Sequence, residues 1–573
     1  RMALGLTAAS CAATADANRT GTAEAATAAS KNILFLVVDD MRPSIGAFNF
    51  TLAHTPNMDQ LAHSGLTFKR AYVQYAFCAP SRNSFMSGRR PDTTRVWNFV
   101  DHFREDGIGA GWRSLPEYFK SHGYLTAGSG KLFHPMVPPN NDYPRAWSTE
   151  FGRAYYSPEC MPHNTKDWNV CLHSTAPGGH QQVADNPSGV FHCLTQDPPG
   201  DDPTSLDNSK RSTACAANTT VNESRFDYQL EDQRIRDSCV DQLERAAAAV
   251  EGPNSTGYRG FFVGCGFHKP HVPWQYPHEF DQYFPVDLSD IPLADDMFAP
   301  QGMPEVAWHY PADVHGMGIA YNGTCNLTRS AIFRRAYYAA IAYTDDNIGR
   351  LLAKLEDLQV TSSTLVVAFG DHGWQLGEHD TWAKMTNFEV ALRTPLIIRA
   401  PWKHGTSAGR VTRVLAEAVD LYRTIAELVG LPDPIMDGED VNGTSLAPVF
   451  DAPEADHAAL KSAAFSQFSK PSRANPTVVW PQPLRNETEI MGYTVRADEW
   501  RYTCWFGFDK VHIVPDVDDI IGRELYDHRG DNGELDWKGE HLNVVDDPTN
   551  KDTVDDLHRK VLDYIRLYPV TRQ

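Results

Sequence analysis

Acidic, basic and imidazole side chains follow four apolar runs of this 573-residue chain. Unalternating apolar runs are typical of central strands that are covered on both faces. The residues that come just after these runs are Asp39, Asp40, Lys131, His134, His268, Asp371 and His372. Each alone has a plain structural reading, as a helix cap, a turn residue or a hydrogen-bonded packing residue. Because ligands of open α/β sheets bind beyond the carboxyl ends of the strands, their convergence on one edge predicts a functional site.

An oxygen-rich subset of these residues predicts a metal site. Its members are Asp39, Asp40, Asp371 and His372. Carboxylates that meet in a low-dielectric pocket repel one another severely unless a cation neutralises them. Such a set suits a hard divalent ion, Ca²⁺ or Mg²⁺. Zinc is disfavoured because no Cys/His ligand set appears at structural spacing.

Cys78 opens the segment CAPSRNSFMSGRR, in which Ser81 is placed as a helix cap and Arg82 lies close by. A cysteine at a helix N-terminus beside an arginine is expected to have a depressed pKa and a reactive sulfur. A free or disulfide-bonded cysteine is the plain alternative. A thiolate nucleophile is a further reading, although no signature of a Cys-His hydrolase accompanies it.

The elements that would position these residues alternate along the chain. Apolar runs predict strands at 32–38, 124–128, 261–265 and 364–369, and periodic patterns predict helices at 57–64, 115–122, 234–250 and 333–358. This alternation predicts an α/β fold with a doubly wound, mostly parallel central sheet flanked by helices.

Composition shifts predict the domain organisation. Residues 1–30 resemble a signal-peptide remnant or a disordered lead-in. Residues 31–453 are predicted to form the catalytic domain, with an irregular cysteine-rich insertion at about 152–228. Residues 456–573 are predicted to form a smaller C-terminal α+β subdomain, with strands at 490–495 and 500–506 and a helix at 553–567.

Bulk properties exclude several classes of protein. The net charge of −21, without a compensating Lys/Arg run, disfavours binding to nucleic acid. No run of about eighteen apolar residues occurs, so a membrane span is not predicted. The hydrophobic content of 42% and charged content of 22% are those of a folded globular protein.

Sequons and cysteines favour the secretory pathway. Roughly three N-x-S/T sequons are expected by chance, and the chain has more than that. They begin at Asn18, Asn49, Asn218, Asn222, Asn254, Asn322, Asn326, Asn442 and Asn486. The ten cysteines include four in the predicted insertion, where a loop-rich segment would need stapling.

The segment around Cys78 resembles the signature of type I sulfatases, which belong to the alkaline phosphatase superfamily. Its Cys-x-Pro-x-Arg core matches in full, whereas Met86 and Ser87 stand where the family usually has Leu and Thr. Between about residues 31 and 527, further segments resemble iduronate-2-sulfatases in content and order: VVDDMRPSIGAF, HTPNMDQLAHSG, SGKLFHP, GFHKPHVPW, GDHGWQLGEHDTWAKMTNFEVALRTPLI and IMGYTVRADEWRYTCWFGF. The insertion is longer and richer in cysteine than is typical of the family.

This resemblance implies a cofactor set and residue roles. It implies that a formylglycine-generating enzyme oxidises Cys78 to formylglycine (3-oxoalanine) during secretion. One Ca²⁺ would be bound by Asp39, Asp40, Asp371 and His372 together with the modified residue 78. Arg82, Lys131 and His134 would hold and activate the formylglycine, and His268 and Lys384 would grip the sulfate. The C-terminal subdomain would help to wall the substrate pocket.

The implied reaction is the hydrolysis of a sulfate ester on a glycan. A hydrated aldehyde offers one hydroxyl to attack sulfur and a second from which a base removes a proton, so that sulfate leaves; His134 is the candidate base. Either His268 or Lys384 would protonate the leaving alcohol. The implied substrate is 2-O-sulfated iduronate or another uronate of heparan or dermatan sulfate, and the implied location is lysosomal or extracellular.

Four alternatives remain open from the sequence. A phosphatase or phosphonate monoester hydrolase of the same superfamily would use a similar metal cradle, although a phosphatase of that group normally presents Ser or Thr at position 78. A choline-sulfatase and a hydrolase of sulfated algal polysaccharide would share the signature. A non-catalytic glycan-binding relative would be expected to lack some site residues, yet all the matched positions are filled.

Overall fold

The computed structural model describes residues 31–151, 190–194, 219–222, 230–251, 257–272, 274–310, 326–479, 482–531 and 538–569. The predicted lead-in and most of the predicted insertion lie outside the described residues. The domain boundaries given above therefore stay predictions.

The strands are β1 (Asn32–Val38), β2 (Leu66–Tyr72), β3 (Tyr124–Gly130), β4 (Val190–Leu194), β5 (Thr219–Asn222), β6 (Gly260–Phe267), β7 (Trp274–Pro277), β8 (Thr364–Gly370), β9 (Gln375–Leu376), β10 (Trp382–Ala383), β11 (Arg393–Arg399), β12 (Arg410–Glu417), β13 (Ala464–Lys470), β14 (Ile490–Arg496), β15 (Trp500–Asp509) and β16 (Val514–Asp527). The α-helices are α1 (Pro56–Ser64), α2 (Cys78–Ser87), α3 (Pro91–Thr94), α4 (Leu115–Ser121), α5 (Glu231–Glu251), α6 (Leu327–Asp357), α7 (Glu389–Leu392), α8 (His404–Ser407), α9 (Leu421–Val429) and α10 (Lys551–Leu567).

A seven-stranded sheet forms the centre of the molecule, in the order β12-β2-β11-β8-β1-β6-β3. β1 pairs in parallel with β6 and β8, β3 with β6, and β12 with β2. β11 is antiparallel to both of its neighbours, β2 and β8. The predicted mostly parallel sheet is confirmed, with one reversed strand inside it.

Helices cover both faces of this sheet, and β1 shows why. All seven residues of β1 are buried. Leu34, Leu36 and Val38 belong to one apolar core, which contains the buried faces of α1, α5 and α6. The alternate residues of β1 belong to a second core with α2, α4 and α9. Because successive side chains of a strand point to opposite faces, an unbroken apolar run is buried on both sides.

Local sequence signals set the helix starts. Pro56 occupies the first turn of α1, where its missing N–H has no intrahelical partner to lose. Ser114 and Glu117 form a capping box at α4. The side chain of Asn326 accepts from the Arg329 N–H and caps α6. Each signal either removes or satisfies a backbone donor that a helix start would otherwise leave unpaired.

A second, antiparallel sheet has the order β13-β14-β15-β16. The helix α10 packs on β14 and β15. This sheet joins the central one directly: Gln467 N–H donates to Gln74 O at 2.9 Å, and Ser466 Oγ donates to Val73 O at 2.6 Å. Buried residues of both sheets, among them Leu34 and Trp505, belong to one continuous apolar core.

Two further features of the fold are a disulfide and the composition of the helices. A disulfide joins Cys239 on α5 to Cys265 on β6. Within the described part of the chain, no helix combines the length and the apolar composition needed to cross a membrane.

Candidate active site

The ends of β1 and β8 bring the acidic pair Asp39 and Asp40 together with Asp371 and His372. The strands are parallel and in register, with Val38 opposite Gly370, so the residues that follow them meet at one edge. Asp371 N–H donates to Val38 O at 3.0 Å, and Asp40 N–H donates to an Asp371 carboxylate oxygen at 2.9 Å. All these side chains are fully buried. No helix starts at Asp39 or Asp40, so the helix-cap reading of this pair is wrong.

Cys78 lies at the first position of α2 and faces this acidic edge. Its Sγ lies 3.2 Å from Lys384 Nζ, 3.3 Å from His372 Nε2, 3.4 Å from Asp39 Oδ1 and 3.5 Å from Lys131 Nζ. The structure therefore surrounds position 78 with four of the residues predicted from sequence.

Two expectations for this segment are wrong. Ser81 is not the helix cap, because α2 begins at Cys78 with Phe77 before it, and Ser81 Oγ donates to Asp371 O instead. The pKa of the Cys78 thiol is not depressed: burial raises it, and the Asp39 carboxylate adds to the effect. A buried thiol beside an acidic cluster is a poor thiolate nucleophile.

Arg82, one turn along α2, connects the two acidic strand ends. Its Nη2 lies 3.1 Å from Asp39 Oδ1 and 2.9 Å from Asp371 Oδ2. The same guanidinium donates to the backbone oxygens of Lys131 and Leu132. The planar fork of arginine suits this arrangement because it can bond several acceptors at fixed angles.

Two lysines complete the cationic side of the site. Lys131 follows β3, and its Nζ lies 2.5 Å from Asp39 Oδ2. Lys384 follows β10, and its Nζ lies 2.6 Å from Asp40 Oδ1. Burial alone would lower the pKa of Lys131, but the Asp39 carboxylate outweighs it and raises that pKa. Lys131 is therefore held charged close to the sulfur of Cys78, and Lys384, which is paired with Asp40, contacts the same sulfur.

The acidic residues have the properties of a metal cradle. One ligand atom from each of Asp39, Cys78, Asp371 and His372 lies within 4.8 Å of the others. Asp40 Oδ2 is buried without a hydrogen-bond partner. Burial and the neighbouring carboxylates raise the pKa of Asp371 to about 7 and that of Asp40 well above its usual range. Buried, mutually repelling carboxylate oxygens of this kind fit a hard divalent cation.

Asp39 differs from the other two carboxyl groups. Burial would raise its pKa, but Lys131, His271 and Arg82 outweigh burial and hold the pKa well below the usual range. Asp39 is therefore the carboxylate that stays ionised whatever else the site binds.

The two remaining predicted histidines, His268 and His134, also lie near this cluster. His268 Nδ1 contacts Glu231 Oε2 at 2.9 Å, and its Nε2 faces Asp39 Oδ2 at 3.8 Å. The ring of His134 stacks on Phe99, with centroids 4.5 Å apart and planes at 10°. Burial, helped by the charge of Lys131, lowers the pKa of His134 well below the usual value, so the ring is neutral.

Sequence reasoning missed His271 and Glu231. His271 Nε2 lies 3.9 Å from Asp40 Oδ2, and its ring stacks on His268 at 4.7 Å. The signal was present, because His271 lies three residues after His268 in the motif GFHKPHVPW. Glu231 begins α5 and carried no motif, so only the tertiary structure brings it to His268.

Comparison with known proteins agrees with this geometry. The Sulfatase family model matches residues 31–431. Iduronate 2-sulfatases from Homo sapiens and Mus musculus are 32% and 31% identical, and each alignment covers 86% of this chain and 88% of the relative. The solved phosphonate monoester hydrolase from Silicibacter pomeroyi has a TM-score of 0.62 at 21% identity, covering 94% of this chain and 96% of its own. That structural likeness shows the fold alone.

The chain belongs to the sulfatase family. It is a hydrolase of sulfate esters, and the predicted resemblance to type I sulfatases, among them the iduronate-2-sulfatases, is confirmed. The predicted alkaline phosphatase-like fold is confirmed as well.

Proposed function

We propose that this sulfatase removes sulfate from a sulfated glycan, with a formylglycine made from Cys78 and one Ca²⁺. The observation that carries the proposal is the position of Cys78: its buried sulfur touches Lys384, Lys131 and His372 at the edge of a carboxylate cluster. The raised pKa of the thiol argues against unmodified Cys78 as nucleophile. Oxidation to an aldehyde would give this position a different and competent group.

The cradle would hold calcium through Asp39, Asp40, Asp371 and His372, next to residue 78. When present, the hydrated formylglycine supplies a hydroxyl nucleophile, and the calcium supplies positive charge that acidifies it and neutralises sulfate oxygens. Arg82 keeps the two acidic strand ends in place. We expect the site to bind the cation most tightly when its carboxyl groups are ionised.

Lys131 and Lys384 would bind the sulfate group and stabilise the charge that develops on its oxygens. Their ammonium groups lie 3.5 Å and 3.2 Å from Cys78 Sγ, which is close enough to contact a group attached to residue 78. Fixed cations that need no rearrangement stabilise a transition state by several kcal/mol. Both are nearly fully buried, which strengthens their field.

The histidines would handle protons. Nδ1 of His268 contacts Glu231 and Nε2 faces Asp39; burial lowers the pKa of the ring and Glu231 opposes this, so that the protonated ring could donate from Nε2 to the leaving alcohol. Lys384 is the other candidate for this role. The neutral ring of His134 is suited to accept a proton, as the base that releases sulfate.

The proposed substrate is 2-O-sulfated iduronate or another uronate of heparan or dermatan sulfate. The support is the identity of 32% to a relative named iduronate 2-sulfatase over 86% of this chain. A sulfatase for another sulfated polysaccharide or for choline sulfate is the alternative within the family. A phosphonate monoester hydrolase shares the fold, but its phosphatase relatives are expected to present Ser or Thr, not Cys, at position 78.

We also propose maturation in the secretory pathway by a formylglycine-generating enzyme, followed by a lysosomal or extracellular location. The disulfide between Cys239 and Cys265 supports an oxidising compartment. The sequon residues Asn49 and Asn486 are exposed, as glycan acceptors must be.

The test compares the wild type with Cys78→Ser and Cys78→Ala, produced in one secretory host. We expect peptide mass spectrometry to find formylglycine at position 78 of the wild type, and both variants to release no sulfate through repeated turnovers. An intact thiol in fully active secreted protein would contradict the mechanism.

The same proteins report on substrate choice. We expect the wild type to release sulfate from disaccharides that carry 2-O-sulfated iduronate. Release only from sulfated algal uronates or choline sulfate would replace the substrate and leave the mechanism standing.

A further inference from the structure

Lys384 lies on a strained piece of backbone. The residues on either side of it, Ala383 and Met385, have φ values of +77° and +75°. L-residues with a side chain rarely adopt this left-handed conformation, and they keep it only where the surroundings hold them in place. The position of Lys384 Nζ therefore depends on the groups that tie down this backbone.

Two hydrogen-bonding groups hold the strained segment. Met385 N–H donates to Ala76 O at 3.0 Å, which ties the segment to the chain just before Cys78. On the other side, Nε2 of His309 lies 2.6 Å from the backbone oxygen of Lys384. His309 is fully buried, so this contact is shielded from water.

The chain around His309 runs along the loop that leads to Lys384. Trp308 Nε1–H donates to Asp380 O at 2.8 Å, and Thr381 Oγ donates to His309 O at 3.3 Å. Lys470 of β13 donates to Trp308 O at 2.8 Å. His309 is therefore held in place both by the loop that leads to Lys384 and by β13 of the C-terminal sheet.

The contacts of the two ring nitrogens of His309, Nδ1 and Nε2, indicate which of them carries the proton in the neutral ring. His309 Nδ1 lies 2.7 Å from the backbone oxygen of Tyr310. Carbonyl oxygens only accept, and a neutral imidazole has one N–H, so a neutral ring satisfies one of the two. The contact of Nε2 with the Lys384 carbonyl is buried, whereas the contact of Nδ1 with the Tyr310 carbonyl is only part-buried and so lies closer to water. We assign the proton to Nε2 on this ground, because a buried carbonyl needs its donor more than a part-buried one does.

We propose that His309 is a positioning residue of this sulfatase: its Nε2–H holds the Lys384 carbonyl and so aims Lys384 Nζ at Asp40 and residue 78. The proposal rests on the role proposed above for Lys384 in binding sulfate. It adds a residue from a separate part of the chain, 75 positions before Lys384, to the apparatus that determines sulfate affinity and turnover.

The strength of the hydrogen bond between His309 and the Lys384 carbonyl depends on pH. Burial and the neighbouring Lys470 lower the pKa of His309 to about 4. The hydrogen bonds to the carbonyls of Tyr310 and Lys384 raise this pKa but do not outweigh the lowering. Lys470 is the titratable side chain that faces His309 among the described residues, and burial lowers the pKa of Lys470 itself to about 7. As the pH falls toward the pKa of His309, the ring gains a second N–H and bonds both carbonyls at once. Because a charged donor bonds a carbonyl more strongly than a neutral one, we expect the contribution of His309 to turnover to increase in acid.

The experiment compares His309→Phe, which keeps a flat ring without a donor, with His309→Gln, whose amide N–H can donate to the Lys384 carbonyl. With a small aryl sulfate, we expect kcat of the phenylalanine variant to fall by about tenfold, as for one lost hydrogen bond. We expect the inhibition constant for inorganic sulfate to rise, and glutamine to restore most of both. The ratio of wild-type to phenylalanine-variant kcat should grow from about pH 6, where Lys470 is already protonated, to pH 4.5, while the ratio of glutamine to phenylalanine stays flat.

Three outcomes separate the possibilities. If His309→Phe keeps the kcat and the sulfate inhibition constant of the wild type while Lys384→Ala is inactive, the inference about His309 is overturned and the proposed role of Lys384 stands. A fully active Lys384→Ala would instead overturn the proposed role of Lys384. If His309→Phe does not fold, His309→Asn, whose shorter amide does not reach the carbonyl, takes its place beside His309→Gln, and equal losses in these two variants would overturn the inference.

Discussion

At the scale of single residues, the site is a balanced set of charges around position 78. Three cations, Arg82, Lys131 and Lys384, pair with the carboxyl groups of the strand ends. With all three carboxyl groups ionised, as they would be around a bound cation, each basic side chain has an acidic partner, and the side chains alone leave little net charge to attract a sulfate ester. The two positive charges of a calcium ion would provide that attraction, which is why the proposed cation matters for binding as well as for chemistry.

Arg82→Met tests the weight of the buried ion pairs. The change leaves Asp39 and Asp371 without the guanidinium that bridges them. We expect the free energy of unfolding to fall by about 3–5 kcal/mol, the usual cost of breaking a buried pair, together with loss of activity. Urea denaturation measures the first and sulfate release the second. The matched control is Arg410→Met, because Arg410 pairs with Glu454 at the surface; we expect a change of less than about 1 kcal/mol there. Equal stability of the two variants would contradict the bridging role.

At the scale of elements, Lys131 reaches the site because β3 and β6 approach very closely at their carboxyl ends. Lys131 N–H donates to Gly266 O at 2.8 Å. A Cβ at position 266 would lie 2.2 Å from the Lys131 backbone oxygen. The absence of a side chain on β6 therefore sets where the backbone of Lys131 can run.

Gly266→Ala should push Lys131 away from Asp39. We expect a loss of about 1–3 kcal/mol of stability, typical of overpacking, and a fall in kcat of at least about tenfold, because small displacements of a catalytic group are costly. Thermal unfolding and initial rates measure these effects. Gly405→Ala is the control, since a Cβ there meets no atom within 4 Å. A Gly266→Ala enzyme as active as the control would show that Lys131 tolerates the displacement.

At the scale of the whole molecule, the carboxylate cluster couples metal, pH and stability. Burial raises the pKa of Asp371 to about 7 and also raises that of Asp40. A carboxyl whose folded pKa lies above its unfolded value near 4 stabilises the fold at low pH, and this stabilisation is lost as the pH rises through the folded pKa. Asp39, whose pKa is lowered, is ionised in both states above about pH 5 and adds no slope there.

Without the metal, the thermal stability of the protein should therefore fall as the pH rises. We expect protein treated with a chelator to have a lower Tm at pH 8 than at pH 5, and added Ca²⁺ to raise Tm more at pH 8 than at pH 5. Differential scanning calorimetry measures both. A calcium-induced rise that is equal at the two pH values would contradict a cation bound by these carboxyl groups.

The sequence by itself determined the local features of this protein. Unbroken apolar runs located β1, β3, β6 and β8, and the residues just beyond them are the ones that meet in the structure. The signature around Cys78 identified the family. These features could be predicted because burial on two faces and a short motif leave their pattern within a few neighbouring residues.

Only the tertiary structure decided the remainder. The reversed strand β11 carries arginines at both ends and pairs on one side with β2, which lies far away in the chain, so its pattern alone did not reveal it. His271, Glu231 and His309 reach the site, or support it, through contacts between distant segments. The pKa of Cys78 also came out opposite to its local motif, because burial beside Asp39 outweighs the helix terminus. Such properties depend on how distant segments pack, and no short stretch of sequence records that.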